Sequence, residues 1–438
     1  MRIQVASLII IDVVYKVIFL LFIKNMNNNR HKRKDKDDIL NNYNKEEITY
    51  FNSLLPDTKK SILKQEEEIS NTNTSKTPLR FKIITSNTSL SNKQVILNKL
   101  NEFNKISHHS SEYSKFYKLI NVINKIPFGI YHNINNNSRN VNAVSDFLTN
   151  VKKELDINIY GHNETKEQII RILAQFISNP DAKGCNLGIQ GSMGVGKTKL
   201  IKDCIAKVLK YPFAFIPLGG VSDASYLKGH LYTYEGATHG RIVDEIIKAK
   251  VMNPIFFFDE VDKISTSRYG EEITNTLIHI TDSTQNDVFT DKFLGDITLD
   301  LSKSIMFFTF NHIEKINPIL RDRMTIIKVD KYTKQNKVEL AKNFLIKDIC
   351  KSYNIKADDI IISDKDIEYI IEKTVDEDGV RNLQRNINNI YSYINMNKFI
   401  KVDDELIKFP YTITKKVIDK YIIVKKEENL INLSLYIQ

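Results

Sequence analysis

One short segment constrains this chain more than any other. Two glycines are separated by four residues and followed by Lys and Thr, with an apolar run ending at Ile189 before them and helical spacing after them. A glycine-rich turn between a strand and a helix lets backbone N–H groups surround an anion at the positive end of the helix. The segment therefore predicts a phosphate-binding loop. It consists of Gly191, Ser192, Met193, Gly194, Val195, Gly196, Lys197 and Thr198.

A second element supports the first. Lys197 would neutralise β- and γ-phosphate oxygens, and the Thr198 hydroxyl would ligate Mg²⁺. Further along the chain, a buried apolar run ends at Asp259 and Glu260. Asp259 is placed to hold the magnesium through water, and Glu260 is placed to polarise the attacking water as general base. Together the two elements predict hydrolysis of ATP or GTP.

Three further polar side chains follow predicted elements. Asn311 ends an apolar run, where oligomeric ATPases often place a residue that orients water or the γ-phosphate; a turn residue is the alternative. Either Arg321 or Arg323 could stabilise charge on a neighbouring subunit's nucleotide, or form a surface ion pair with Asp322. Arg381 begins a helix, where it could contact the γ-phosphate and report its loss as a domain rotation; a solvated arginine is the alternative.

The apolar pattern predicts an α/β fold. After Asp156, short apolar runs alternate with helical stretches, as in a mostly parallel sheet covered on both faces. Helical spacing also dominates from Glu46 to about Ile126, and again from Lys334, with a short hairpin expected around 407–412. The predicted strands are 185–189, 213–218, 255–258, 305–310 and 326–329.

These patterns divide the chain into five predicted parts. In the first, the stretch 5–23 contains Asp12 and Lys16, whose insertion cost of about 5–7 kcal/mol nearly cancels an apolar gain of about 4–8 kcal/mol. Membrane anchoring and a translation start at Met26 therefore both stay open. The parts are an apolar segment (1–25), a polar basic linker (26–50), a helical N-terminal region (51–150), the nucleotide-binding α/β domain (151–332) and a small helical domain (333–438).

Composition excludes other classes of protein. Hydrophobic residues at 42% and charged residues at 26% exclude a wholly disordered chain. Cys185, Cys204 and Cys350 are too far apart for a disulfide scaffold or a clustered thiolate metal site, and they favour a reducing, cytoplasmic interior. The net charge is +10, partly from the basic run 30–36. That run indicates a solvated flexible segment, with binding to nucleic acid as the alternative.

Several longer motifs occur in order along the second half of the chain. They are Tyr160-Gly161, Leu218 to Asp223, Lys228-Gly229-His230, Asp259 to Ile264, Asp322-Arg323-Met324 and Gly379 to Arg385. Through them, from about Asp156 to about Ile423, the chain resembles the ATPase part of the Lon proteases, which are AAA+ proteins. The resemblance implies ATP and Mg²⁺ as cofactors, Tyr160-Gly161 at the adenine pocket, Arg323 rather than Arg321 as the arginine finger, and Arg381 as the sensor-2 residue. It also implies a ring of six copies, because Arg323 would complete a neighbour's active site.

The resemblance extends to a mechanical loop. Thr233-Tyr234-Glu235-Gly236 aligns with the pore loop, in which an aromatic and an aliphatic residue grip an unfolded polypeptide. The Tyr234 side chain offers apolar area with few rotatable bonds, which suits contact with polypeptides of many different sequences. Glu235 stands where the family has an aliphatic residue, so translocation is less firmly implied than hydrolysis.

In the Lon proteases a peptidase domain with a Ser–Lys dyad follows the small helical domain. Few residues follow Arg381 here, and Ser434 has no structured context in which a lysine could act as its base. We therefore expect ATPase but no peptidase activity from this chain. Three functions stay open: a polypeptide unfoldase or remodeller, which would serve a separate peptidase chain; a nucleic-acid-associated motor; and an adaptor that binds nucleotide without cycling.

Overall fold

The computed structural model describes residues 43–73, 77–133, 141–179, 183–207, 210–400, 407 and 409–422. The stretch 5–23 and the basic run 30–36 lie outside these residues, so the predictions made for them stay predictions. Within the described ranges, no helix combines the length and apolar character needed to cross a membrane. Contacts divide the chain into two units, one ending at Phe81 and the other beginning at Lys82.

The first unit contains helices α1 (Lys45–Ser53) and α2 (Pro56–Asn73). The Asn44 side chain accepts a hydrogen bond from Glu47 N at 2.9 Å, and the Glu47 carboxylate accepts one from Asn44 N at 2.7 Å. This reciprocal pair satisfies N–H groups that the first turn of α1 would otherwise leave unbonded. A third helix, α3 (Leu79–Thr85), runs across the boundary between the units.

Helices also open the second unit, so the predicted helical region before the sheet is confirmed. They are α4 (Leu90–Phe103), α5 (Ser111–Lys125), α6 (Val141–Asn158) and α7 (Asn163–Ser178). α6 crosses the predicted domain boundary at residue 151. Its residues Val151 and Leu155 are buried in the core that covers one face of the sheet.

A five-stranded parallel sheet forms the centre of the second unit, in the order β2-β3-β6-β1-β7. Alternate residues of its strands are buried on opposite faces; Phe257 joins one core, and on the other face Phe258 stacks on Phe308 across two strands at 5.0 Å. The predicted, doubly covered sheet is confirmed. The strands are β1 (Asn186–Gln190), β2 (Phe213–Pro217), β3 (Ile255–Asp259), the short antiparallel pair β4 (Phe289–Thr290) and β5 (Thr298–Leu299), β6 (Ile305–Phe310) and β7 (Thr325–Lys328).

The helices between these strands present apolar faces to the core. In α10, for example, Ile242, Val243 and Ile246 are completely buried at i, i+1 and i+4, which is one helical face. These helices are α8 (Lys197–Lys199) with its π-helical continuation (Leu200–Ala206), α9 (Ser225–Lys228), α10 (Arg241–Ala249), α11 (Arg268–Thr281) and α12 (Pro318–Asp322).

A small helical domain, here called the lid, follows the sheet as predicted. It packs around a separate core that includes Ile367, Ile387 and Tyr391. Its elements are α13 (Lys334–Leu340) with a π-helical continuation (Ala341–Leu345), α14 (Ile346–Ser352), β8 (Ile360–Ile361), α15 (Asp364–Lys373), α16 (Arg381–Asn397), β9 (Tyr411–Thr412) and α17 (Lys415–Tyr421).

Within the described residues 407 and 409–412, the expected hairpin does not form. Tyr411 and Thr412 do form a strand, but β9 pairs in parallel with the distant β8, and Ile413 N donates to Ile361 O at 2.9 Å. A parallel pair needs a long crossover connection, which α15 and α16 supply. A short apolar run does not show which partner its strand will have.

Candidate functional site

A cleft of about 380 Å³ lies between the carboxyl edge of the sheet and the lid. Parallel strands end at one edge of a sheet, so residues that directly follow β1, β3 and β6 meet there. Most of the predicted site residues line this cleft: Tyr160, Ser192, Met193, Gly194, Val195, Gly196, Lys197, Thr198, Asp259, Glu260, Asn311 and Arg381.

The phosphate-loop prediction matches the local backbone. The loop connects β1 to α8, and Gly194 and Gly196 have φ angles of +79° and +90°, a region that side-chain-bearing residues rarely adopt. Gly161, in the predicted adenine element, has φ +71° and lies beside the cleft-lining Tyr160. Glycines therefore occupy positions at which the chain must turn through left-handed conformations.

The Lys197 ammonium group is surrounded by acceptors. It donates to Asn311 Oδ1 at 2.6 Å, to Ser192 O at 3.2 Å and to the Gly191 carbonyl. Burial lowers the pKa of Lys197, and nearby carboxylates, that of Asp259 first, oppose this shift. An additional anion beside Lys197 would favour its charged form further.

The end of β3 is tied to β6 by a residue that the sequence analysis did not assign. The Thr309 hydroxyl donates to Asp259 Oδ1 and accepts from Glu260 N at 3.3 Å. Thr309 is completely buried, so its hydroxyl holds both acidic residues from within the sheet. A threonine inside an apolar strand was the available signal, but threonine is common in strands.

Glu260 has a strained backbone and a crowded side chain. Its φ is +59°, which is uncommon for a residue other than glycine. Lys263 Nζ lies 2.5 Å from Glu260 Oε1, and a Cβ on Gly219 would lie 2.3 Å from Glu260 Oε2. A side chain at position 219 would therefore displace the Glu260 carboxylate, which is 45% exposed, from this position.

Asp262 fixes the position of Asn311. Its Oδ2 accepts from Asn311 N at 3.1 Å and from His312 N at 3.2 Å. The other oxygen, Oδ1, is buried and has no hydrogen-bond partner. The sequence identifies Asp262 only as a member of the Asp259–Ile264 motif. Its role depends on the neighbouring strand β6, which comes much later in the chain.

The opposite end of the cleft is apolar and suits a flat ring. Ile159, Leu340 and Phe344 line it beside Tyr160, whose hydroxyl accepts from Asn336 Nδ2 at 3.2 Å. These contacts place the predicted adenine element against the lid helix α13.

Two unpredicted side chains hold the phosphate loop from this end. Tyr332 Oη donates to Val195 O at 3.2 Å, and His162 Nε2 lies 2.7 Å from Tyr332 Oη and 3.1 Å from Val195 O. Burial lowers the pKa of His162 and raises the pKa of Tyr332 to about 12. A neutral pair therefore anchors the Val195 carbonyl.

Arg381 is positioned by the start of its own helix. The Glu377 carboxylate accepts from Asn382 N at 2.8 Å and from Leu383 N at 2.9 Å, so a negative charge caps the N-terminus of α16. A Cβ on Gly194 would lie 3.0 Å from Arg381 Cβ, which shows how closely this helix approaches the phosphate loop.

Arg323 lies outside the cleft. Its Nη2 is 2.9 Å from Asp282 Oδ2, and its Nη1 donates to Ile278 O at 2.5 Å. The ion pair considered for this arginine therefore involves Asp282 and not Asp322. The Arg323 side chain is 29% exposed, so part of it remains accessible.

Tyr234 also lies outside the cleft, in a turn where Tyr234 N donates to Leu231 O at 3.1 Å. Its side chain is 64% exposed. The preceding residues are held by α5: Lys115 Nζ donates to Thr233 O at 2.7 Å, and Phe116 packs edge-on against Tyr232 at 5.5 Å. The loop is thus anchored on one side of an accessible aromatic ring.

Comparison with known proteins agrees with this geometry. The family model for the ATPase family associated with various cellular activities (AAA) matches residues 187–330, and the Lon protease AAA+ ATPase lid domain matches residues 351–398. The sheet, the phosphate loop and the lid define the class of protein: an AAA+ ATPase domain followed by its lid.

Curated relatives identify the branch within that class. A Lon protease homolog of Acanthamoeba polyphaga mimivirus is 42% identical over 58% of this chain and 25% of its own length. The Lon proteases of Malacoplasma penetrans and Campylobacter concisus are 38% and 37% identical over 56% and 64% of this chain, and over 31% and 35% of their own lengths. Over its AAA and lid regions the chain is therefore similar to Lon proteases, and it spans only a quarter to about a third of these relatives.

Proposed function

We propose that this chain binds and hydrolyses ATP with Mg²⁺ at the cleft. Lys197 and Arg381 would contact the γ-phosphate, and Asn311 and Glu260 would orient the attacking water, with Glu260 taking its proton. Bound Mg²⁺ would neutralise charge on the phosphate oxygens. Thr198 and Asp259 fit that ion because a hydroxyl and a carboxylate, both hard oxygen donors, line the same cleft.

The observation that carries the proposal is the convergence of separate sequence elements on one cleft. The phosphate loop, the acidic end of β3, Asn311 after β6 and Arg381 of the lid all line it. An adaptor that only holds nucleotide has no need of Glu260, so the set favours turnover over simple binding.

We further propose that several copies assemble into a ring, most simply a hexamer. Arg323 does not line its own cleft and keeps a partly exposed side chain, as a residue acting on a neighbour's nucleotide requires. Loss of the γ-phosphate contacts of Lys197 and Arg381 would let the lid rotate and move Tyr234. The substrate would be an unfolded polypeptide, gripped by the accessible Tyr234 ring.

Replacing the general base tests the hydrolytic step. We expect Glu260→Gln to bind ATP but to turn over at least ~100-fold more slowly, the scale of one lost general base. Steady-state phosphate release measures turnover, and nucleotide fluorescence measures binding. Glu167→Gln is the matched control, because Glu167 pairs with Arg171 on the exposed face of α7. Equal turnover in Glu260→Gln and wild-type protein would contradict the proposed role.

The same variant discriminates among the substrate classes. A Glu260→Gln ring that retains ATP should also retain its substrate, so affinity capture would recover unfolded polypeptides or a separate peptidase. The alternative, a nucleic-acid-associated motor, predicts ATPase stimulation by DNA that survives deletion of residues 1–45. DNA stimulation of that kind, without polypeptide stimulation, would overturn the unfoldase proposal.

A further inference from the structure

A lid side chain is bonded directly to the phosphate loop. Ser192 Oγ donates to Asp378 Oδ2 at 2.6 Å, and Lys331 Nζ lies 2.8 Å from the other carboxylate oxygen, Oδ1. The Asp378 carbonyl also accepts from Tyr332 N at 3.0 Å. Asp378 therefore contacts the phosphate loop and the segment that leads from the sheet to the lid.

The Asp378 carboxylate has one charged and one neutral side-chain donor, Lys331 and Ser192. The ion pair with Lys331, followed by the Ser192 hydrogen bond, lowers the pKa of Asp378. The Asp378 side chain is 35% exposed, against 73% for Lys331, and its bond to Ser192 is partly buried. An ionised carboxylate makes a stronger acceptor than a neutral group.

The next residues bring the two backbones together. Val380 N donates to Gly194 O at 3.2 Å, and a Cβ on Gly379 would lie 2.4 Å from Met193 O. A side chain at position 379 would overlap the backbone of Met193 and Gly194. The backbone before α16 is therefore in direct contact with the phosphate loop.

This arrangement fixes the position of Arg381. Arg381 follows Asp378 by three residues and is the first residue of α16. Glu377 caps α16 through the helix's own N–H groups, which orders the helix but does not attach it to the phosphate loop. Among the described hydrogen bonds, the Ser192–Asp378 bond is the side-chain attachment between this part of the lid and that loop.

We propose that Asp378 is a positioning residue that holds the start of α16, and with it Arg381, against the phosphate loop through Ser192. The inference rests on the proposed function, because Arg381 has a γ-phosphate to contact only if the cleft binds ATP. Asp378 acts through Arg381 and so matters for a triphosphate much more than for a diphosphate.

A double-mutant cycle on the full chain tests this coupling. The probes are ADP and the non-hydrolysable β,γ-imido analogue of ATP, in competition with a fluorescent nucleotide. We expect Asp378→Ala to weaken analogue binding about fivefold and ADP binding less than about twofold, the range of one net hydrogen bond. Arg381→Ala should weaken analogue binding about tenfold or more, and the double variant should lose no more than Arg381→Ala alone.

Two variants separate positioning from general destabilisation. Asp378→Asn keeps an oxygen that accepts from Ser192, so analogue affinity should return to within about twofold of wild type. Glu372→Ala removes a comparable exposed lid ion pair, with Lys334 at 2.7 Å, and should leave both affinities unchanged. Thermal melting of each variant reports its folding.

The outcomes are distinct. Multiplicative losses in the double variant, equal losses for ADP and the analogue, or unchanged binding in Asp378→Ala would each overturn the positioning role while leaving the proposed function intact. Wild-type protein that binds neither nucleotide would overturn both.

Discussion

In the nucleotide cleft, charged side chains are held by partners on the same chain, whereas the two residues predicted to act on other molecules lie outside it. Lys197 has protein acceptors that include Asn311, and Asp259 is held by Thr309. Tyr234, by contrast, is 64% exposed, and the Arg323 side chain is 29% exposed. One chain thus holds the side chains of its own cleft, whereas under the proposed function completion of the site and mechanical use would need a neighbour and a substrate.

The largest expected effect tests whether Arg323 acts across a subunit boundary. The affinity of Arg323→Ala for ATP should stay within about twofold of wild type, but the ATPase activity of the assembled protein should fall on the order of 10³-fold. Phosphate release measured across a range of protein concentrations checks this. Arg321→Ala is the matched control, because the neighbouring arginine is not expected to contact nucleotide.

A mixing experiment sharpens the same point. Arg323→Ala and Glu260→Gln subunits should each be inactive alone, yet a mixture should regain activity, because an intact Arg323 then meets an intact Glu260 across a boundary. Arg323 also bonds to Asp282 and Ile278, so its loss could disturb only local structure. A mixture that stays inactive would support that structural role and would mean that Arg323, like the cleft residues, serves only its own chain.

The next effect concerns Tyr234. Tyr234→Ala should leave basal ATPase activity within about twofold of wild type but reduce ATP-dependent unfolding of a model protein by about tenfold or more, the scale of a lost aromatic anchor. Loss of the model protein's intrinsic fluorescence would report unfolding.

Two control variants accompany that prediction, one at Tyr234 itself and one at another exposed tyrosine. Tyr234→Phe keeps the ring and should retain unfolding activity, and Tyr50→Ala removes a similarly exposed tyrosine (68%) elsewhere and should retain it as well. Equal losses in basal ATPase and in unfolding would mean that the Tyr234 loop supports the cleft and is not a separate gripping element.

The sequence predicted best what short segments determine. The phosphate loop and the Asp259–Glu260 pair are local patterns, and the five strands of the parallel sheet are short apolar runs that end at the same edge. Contacts between distant segments were not predictable in this way: Asp262 meets Asn311 only because β3 and β6 are neighbours, and Glu377 and Tyr332 act through packing of the lid. The parallel partner of β9 was missed for the same reason.

A separate effect, on stability rather than activity, concerns the base of the Tyr234 loop, where the buried Asp291 accepts from Gly240 N at 2.8 Å and from Phe293 N at 2.8 Å. Burial raises the pKa of Asp291 from 3.8 to about 6, although backbone donors and Lys228 oppose the shift. The native state therefore binds a proton that the unfolded state has lost between about pH 4 and pH 6. The contribution of Asp291 to the free energy of unfolding is largest below about pH 4 and falls as pH rises through 6, by on the order of 2–3 kcal/mol.

Asp291→Asn removes this titration, because an amide does not ionise in that range. Its changed bond to Gly240 lowers the free energy of unfolding of the variant by the same amount at every pH. The free energy of unfolding of the wild type should fall relative to that of the variant as pH rises from 4 to 7, and urea unfolding at each pH measures this difference. Asp364→Asn, an exposed lid carboxylate paired with Lys342, should instead follow the wild-type trend over that interval. If Asp291→Asn tracked the wild type across the same range, the loop base would not depend on a buried protonated carboxyl. The Tyr234 loop would then be anchored by its backbone bonds and the α5 contacts alone, and its attachment, unlike the charged network of the cleft, would be independent of pH.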